Sequence, residues 1–265
     1  MGLQKDASSY GRKDAAPAIL PPGAAHLGSC FSIAFSEVAM LLAYTGFCSS
    51  IVGDFLIKSS GKSNFYEELA RILPLSQVAL DQVTARVLRL NCLTRHYEVL
   101  WSQALPKTVV GDSFAKSDQR LGDWSGLSDA WHSSHALRSH FERRQALVEL
   151  DVLAALSLQL TIEQLILIYR VSFRILRRYE RETFYDQRGK IIFTTNSKGL
   201  NGVGLDRKQW EEVQNAQAGD SLPDWAHDQQ GPFVPPFDSC DREADMAQAY
   251  RHFKEKLSIE IEGEA

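Results

Sequence analysis

Cysteine is scarce in this sequence. Four residues in 265, Cys30, Cys48, Cys92 and Cys240, stand far apart with no Cys-x-x-Cys between them. That excludes a small disulfide-built scaffold and a dithiol redox pair, and reads as four reduced thiols in a cytoplasmic protein. Long apolar runs are also missing. No stretch reaches the roughly 20 residues a helix needs to cross a bilayer, so no membrane partner is expected. The first fifteen residues are polar and charged, which argues against a signal peptide. Asp6 occupies the place where an N-myristoylated chain carries Ser or Thr. There is no Gly-x-Ser-x-Gly elbow and no cysteine beside a plausible histidine partner. The acid–acid–Glu-x-Lys arrangement of metal-dependent nucleases is not found in a strand context. Excess basic charge is absent as well: the net charge is −4, which by itself speaks against a nucleic-acid binder. The charge is uneven, however. Residues 206–265 hold 14 acids and 6 bases, a net of −8, while the rest holds 23 bases and 19 acids, a net of +4. An acidic tail of that kind can hide a basic working surface.

What is present centres on residues 137–205. Apolar residues recur at helical spacing from Phe141 to Leu158. Thr161 then stands at an N-cap with Gln164 three residues on, the pattern of a capping box. A second helix follows, expected to run unbroken to about Tyr185. Leu165, Tyr169, Phe173, Leu176 and Thr183 share its apolar side, flanked by Ile162, Ile166 and Ile168. Arg170, Arg174, Arg177, Arg178 and Arg181 fall within an arc of roughly 100° on the other. Asp186-Gln187-Arg188-Gly189 reads as a turn and Lys190–Thr195 as a β-rich return strand. Arginines opposite an apolar face are often only a solvated surface, here with Glu163, Glu180, Glu182 or the acidic tail as partners. Two features favour a polyanion instead. The bases are nearly all Arg, the side chain suited to bidentate phosphate contacts, and Arg188, Lys190 and Lys198 follow close by.

The remaining segments are shorter. Residues 1–27, rich in Gly, Ala, Pro and charge, read as a disordered leader or the cut edge of something larger. Cys30–Phe35 suits a strand and Glu37–Phe47 a buried helix ending near Gly46. Lys58–Asn64 is a polar Gly/Ser loop, and Pro74 marks a boundary. Ser76 caps a helix expected to reach about Gln103, with Val83, Val87, Leu90, Leu93, Tyr97 and Leu100 at helical spacing and Arg86, Arg89 and Arg95 pointing elsewhere. Leu105 to Leu137 is a long polar connection. Asp206 caps a short helix through Val213, and Ser239 or Asp241 starts a last helix with Met246, Tyr250 and Phe253 on one side.

Few residues suggest chemistry. His132, His135 and His140, with Asp129 near, lie in a Ser-rich loop and read as solvated rather than as the four converging ligands of a zinc site. Asp238, Asp241, Glu243 and Asp245 suit the first turn of a helix. Gly199–Gly204 lies between a strand and a helix, where an S-adenosylmethionine loop belongs. No strand ending in Asp or Glu follows it, so a flexible turn is the better reading.

Three segments carry a resemblance. RVLRLNCLTRHYEVLW (86–101), the run from ERRQALVELDVLAA through IYRVSFRILRRYERETFYDQRGKIIFT to NSKGLNGVGL (within 141–205) and FDSCDREADMAQAYRHF (237–253) resemble the C-terminal part of large adenine-specific DNA methyltransferases. These enzymes belong to fused restriction–modification proteins and to phage-defence systems of the BREX and DISARM kind. Residues 31–75, with Ser49, Ser50, Asp54 and Phe55, a Gly/Asn loop and Leu73-Pro74-Leu75, look like the end of a target-recognition domain. The likeness spans about 28–257.

The resemblance implies an adenine-N6 DNA methyltransferase, but not the catalytic part of one. The family's motif is Asn or Asp, Pro, Pro, then Tyr or Phe, which holds the adenine amino group and stacks on the flipped base. Leu20-Pro21-Pro22-Gly23 lacks both chemical ends, and in Val234-Pro235-Pro236-Phe237 the valine accepts no hydrogen bond. No catalytic residue, metal ligand or cofactor is therefore expected in this chain; S-adenosylmethionine belongs to the full-length enzyme. The expected fold is α+β and predominantly helical: a leader at 1–27, the tail of a target-recognition domain at 28–75 and a helical C-terminal domain with a small β-hairpin at 76–260. The expected partners are double-stranded DNA, met by Lys58, Lys62, Asn64, the five arginines, Lys190 and Lys198, and a methyltransferase domain or subunit. Two other readings stand beside it: an interaction module docking to a methyltransferase or helicase subunit, and an enzyme using Gly199–Gly204 to bind S-adenosylmethionine.

Overall fold

The computed structural model describes residues 2–4, 16–26, 28, 30–62, 65–195 and 203–261. About 49% of the chain is helical and its sheets are small and antiparallel, an α+β fold dominated by helices. The middle of the molecule is α6 (His140–Ser157), with α1 (Val38–Ser49), α4 (Leu80–Asn91) and α10 (Arg242–Lys256) packed on it. Helix α2 (Ile51–Ser59) leaves α1 at 76°. Helices α3 (Glu67–Ile72), α5 (Glu98–Ala104), α7 (Ile162–Ser172), α8 (Arg174–Arg181) and α9 (Arg207–Val213) complete the helical set among the described residues. None of these helices alone is long and apolar enough to cross a membrane.

Helices α6, α7, α9 and α10 start at a side-chain cap. Ser139 and Glu142 form a capping box on α6, Thr161 and Gln164 on α7, and Asp206 and Gln209 on α9. Asp241 accepts from the backbone N–H of Glu243 and Ala244 at the head of α10. These side chains satisfy donors that a helix start leaves without a partner.

Two helices expected to be continuous are broken. The first ends at Asn91 rather than near Gln103, and α5 begins only at Glu98. It also begins late, at Leu80, with Ser76 accepting only from the Val78 N–H. The carbonyls freed at the break go to side chains. Leu90 O accepts from Arg143, Cys92 O from Trp131 Nε1 at 2.9 Å, and Leu93 O from Arg138. The second break is at Phe173, with φ −121° and ψ 44°, which divides α7 from α8. Val171, Ser172 and Phe173 are weak helix formers, and leaving the helix seats the Phe173 ring fully buried. Helix α1 conversely runs past Gly46. A Cβ there would lie 2.3 Å from Val83 Cγ1, so the glycine permits close approach to α4 rather than ending a helix.

The strands are short. β1 (Gly2–Gln4) pairs with β2 (Cys30–Ser32). β3 (Thr183–Tyr185) lies between β4 (Ile191–Thr194) and β7 (Asp238–Ser239), and β5 (His227–Asp228) pairs with β6 (Gly231–Pro232). The Asp186–Gly189 turn joins β3 to β4 as the sequence indicates. Asp186 anchors it: Oδ1 accepts from the N–H of Arg188 and Lys190 at 2.9 Å, and Oδ2 from Val234 N–H at 3.1 Å.

The main core joins α1, α2 and α3 to α6, α7 and α10, through Phe47, Ile51, Leu69, Val152, Leu165, Phe173, Met246 and Phe253. A second cluster lies beyond α6 and takes in Val87, Leu88, Trp101, Phe114, Trp124 and Leu137. The long polar connection thus contributes core side chains although it carries only short helical turns. A third, smaller cluster of Ile192, Phe193, Trp210 and Phe233 covers the sheet.

Charges run through this interior. Arg86 and Glu149 are wholly buried and paired at 2.6 Å, with Arg86 4.9 Å from the Trp124 ring centre and 4.8 Å from that of Phe253. Arg89, also buried, donates to His135 O, and desolvation brings its guanidinium down to about 10. Both had been expected to point away from the core. Arg144 pairs with Asp245 at 2.5 Å, and Arg242 with Asp151 at 2.6 Å and with Glu180. Buried charges survive folding only when paired and hydrogen-bonded, which these contacts supply for Arg86, Arg144 and Arg242.

Candidate nucleic-acid interface

The break at Phe173 sets the geometry of the arginine face. Arg170 sits near the end of α7 and the other four on α8. Arg170 meets Glu243 in a two-pronged contact, Nε to Oε1 at 3.0 Å and Nη2 to Oε2 at 2.5 Å. Arg177 Nη2 lies 3.9 Å from the same carboxylate, and its Nη1 donates to Arg170 O at 3.3 Å. Arg181 Nε donates to Arg177 O at 3.4 Å, and Arg178 lies 5.4 Å from the Tyr179 ring centre. Arg174, Arg178 and Arg181 are exposed and form no ion pair within 4.0 Å among the described residues. The two hydrogen bonds from Arg170 hold the Glu243 carboxyl below the usual carboxylate range.

Three other basic residues weighed from sequence turn to carboxylates of their own. Lys58 turns inward to Asp54 at 2.5 Å, its Nζ 4.7 Å from the Phe173 ring centre. Lys62 pairs with Glu68 at the surface. Lys190 is buried and pairs with Asp228 at 2.7 Å. Asn64 and Lys198 lie outside the described residues, as does Gly199–Gly204 except for its last two positions. Glu180, weighed as an arginine partner on α8, is taken instead by Arg242, with Arg144 at 3.9 Å and the Tyr169 hydroxyl at 2.6 Å.

The residue that sequence reasoning missed is Glu243, grouped with its acidic neighbours as a response to the helix dipole. Only Asp241 of that cluster caps. Asp245 is buried against Arg144 and Lys116, Asp238 meets Arg120, and Glu243 reaches α7. The signal available was arithmetic: four acids in eight residues exceed what one helix start uses.

No family model, curated protein or solved structure matches this chain. Among the described residues, no group of three His, Cys, Asp or Glu side chains is arranged to hold a metal ion. Val234-Pro235-Pro236-Phe237 is spent on structure. Val234 O and Pro236 O accept from Gln187, which straps the segment to the β3–β4 turn.

His135 departs from the solvated-loop reading. It is buried and stacked on Trp101, ring centres 5.3 Å apart, with Nε2 3.1 Å from Gly126 O. Burial pushes its pKa down, and does the same at His252. A histidine whose folded pKa lies below the unfolded value of about 6.5 contributes stability above that pH and loses it as pH falls toward the folded value. The melting temperature is thus expected to drop between about pH 7.5 and about pH 5.5, and His135→Phe to lessen the drop. An identical drop in the variant would assign the effect to other groups.

Proposed function

We propose that this chain is the DNA-recognition and scaffold portion of a site-specific adenine-N6 DNA methyltransferase from a restriction–modification or phage-defence system. It works in the cytoplasm beside the domain or subunit that binds S-adenosylmethionine and carries the adenine chemistry. Its α7–α8 face lies along duplex phosphates. One observation carries the reading: Arg174 and Arg178 are exposed on one short helix without an ion pair among the described residues. A planar guanidinium left free in this way suits bidentate contact with a phosphate. The sequence resemblance supplies the enzyme class.

The test is fluorescence anisotropy of duplex DNA across a salt series, beside a thermal melt. Phosphate contacts act through counterion release, so log affinity falls by about 0.9 per contact for each decade of salt. Arg174→Ala with Arg178→Ala is expected to weaken binding alike for all sequences and to flatten that slope by about one to two. Stability should move by no more than about 0.5 kcal/mol, as for other surface substitutions. An unchanged slope overturns the reading.

A second reading has its own observation. Leu167 and Val171 are exposed on α7, 60% and 58%, beside Arg170 and Arg174, a mixed face suited to a methyltransferase or helicase subunit. On that reading the arginine pair variant binds DNA as before and loses the subunit.

A further inference from the structure

The cleft beside the free arginines is not empty of charge. It measures about 370 Å³; Arg177, Arg181 and Arg242 line it together with the carboxylates of Glu180, Asp241 and Glu243, and Tyr169 and Cys240 complete its wall. Glu243 grips Arg170 with both oxygens at its edge, and Arg177 stands 3.9 Å from the same carboxylate. A carboxylate and a phosphodiester offer a guanidinium fork the same thing, two anionic oxygens side by side. Arg242 is buried in the cleft wall at 7% exposure, and its Nε has no hydrogen-bond partner among the described residues.

We propose that this cleft is a seat for one DNA phosphate and that the Glu243 carboxylate occupies it as an internal phosphate mimic until DNA displaces it. The proposal rests on the DNA-binding reading above and adds a site and a positioning residue to it. Arg170 and Arg177, neutralised in the free protein, then count as phosphate ligands in the complex, with Arg181 in the cleft lining and Arg174 and Arg178 outside it.

The local structure permits the exchange. Glu243 is the second residue of α10, and the helix start is held by Asp241, which accepts from the N–H of Glu243 and of Ala244 at 2.9 and 3.1 Å. The Glu243 side chain therefore rotates outward without unwinding its helix. The anchors behind it stay in place: Arg242 on Asp151 and Glu180, and Arg144 on Asp245. Arg170 is half exposed and Glu243 a quarter exposed, so the pair sits at the rim, where an ion pair contributes little to stability. An internal competitor of this kind weakens encounters that do not place a phosphate well. It leaves a well-placed one its full set of guanidinium contacts, which favours a specific complex over loose association.

The experiment compares the wild-type chain with Glu243→Gln, Glu243→Asp and Glu163→Gln on one duplex, by anisotropy across a salt series, with thermal melts to confirm folding. Glu163 is exposed on α7 and forms no ion pair among the described residues, so its replacement removes the same charge outside the cleft. Glu243→Gln is expected to bind several-fold tighter at low salt, with a slope steeper by up to about one, because in the wild type the displaced carboxylate takes up a cation and offsets the one that the phosphate releases. Glu163→Gln and Glu243→Asp should keep the wild-type slope. If Glu243→Gln matches the wild type while Arg174→Ala with Arg178→Ala weakens binding, the seat is overturned and the DNA reading stands. Equal steepening in Glu243→Gln and Glu163→Gln reduces the effect to net charge and also overturns the seat. If neither wild type nor Glu243→Gln binds at about 50 mM salt, both proposals fall. Binding by Glu243→Gln alone supports the seat in its strongest form.

Discussion

Glu149→Ala is expected to cost about 3–5 kcal/mol of stability, a fall in melting temperature of roughly 6–20 °C for a chain of this size. The residue is wholly buried in α6 and each oxygen is engaged. Oε2 takes Arg86 Nε at 2.6 Å, while Oε1 takes the Ala115 N–H at 2.7 Å and Gln145 Nε2 at 3.1 Å. Truncation leaves the Arg86 guanidinium between Trp124 and Phe253 with, among the described residues, only Gln82 as a hydrogen-bond partner, through the Gln82 backbone and side-chain oxygens. An unpaired charge in that setting costs more than the pair itself contributes, because desolvation is no longer offset. The double variant Arg86→Met with Glu149→Leu should therefore recover most of the loss, since apolar replacement of a buried ion pair is often neutral. Urea and thermal melts of the three proteins decide it. A single-variant cost below about 1 kcal/mol would show that water or a rearranged side chain compensates the arginine.

Much of the frame was legible before the structure. Thr161, Asp206 and Asp241 each start a helix, because a short polar side chain ahead of an apolar period has one favourable use. Met246, Tyr250 and Phe253 are buried together on α10, and the β3–β4 hairpin falls around the Asp186–Gly189 turn. The breaks at Cys92 and Phe173 were not legible, since both depend on tertiary partners. Trp131, Arg138 and Arg143 reach carbonyls near the first from at least 38 positions away, and a core pocket receives Phe173 at the second. The buried charges were not legible. Arg86 and Arg89 read as pointing away from the core, and Arg144, Glu149 and Asp151 meet partners on α4 and α10 that lie dozens of residues away.

The arginine face shows the same division. Five arginines at helical spacing were evident, and so was the chance that the acidic tail shields them. The structure splits the stripe in two parts. Arg170 and Arg177 meet Glu243, and Arg174, Arg178 and Arg181 carry no ion pair among the described residues. The two parts respond differently to substitution, which is why the DNA reading and the phosphate seat are separable.

Arg242→Met is the second substitution with a large expected effect, about 3–5 kcal/mol, and its consequence should be local before it is global. Arg242 donates Nη2 to Asp151 Oδ2 at 2.6 Å and Nη1 to Glu180 Oε1. Asp151 is wholly buried, and its Oδ1 accepts the Ile51 N–H at 2.8 Å, so the guanidinium ties the head of α10 both to α8 and, through α6, to the α1–α2 corner. Methionine fills the volume but leaves the Asp151 charge without its buried cation. Glu180 fares better, because Arg144 stands 3.9 Å away and the Tyr169 hydroxyl donates to Oε2. Asp151 therefore accounts for most of the cost, and Arg242→Met with Asp151→Asn should recover part of it. Helix α8 holds no buried residue, whereas α6 is buried on nearly every side, so α8 is the element held least by packing. Amide exchange is then expected to quicken across 174–181 well before it quickens in 140–157. Arginines that are no longer held in register should also bind duplex DNA more weakly in the variant, even at temperatures where it stays folded. A cost below about 1 kcal/mol, or exchange that quickens equally in both helices, would mean that α8 is positioned by apolar contacts from α7 and the sheet rather than by this guanidinium.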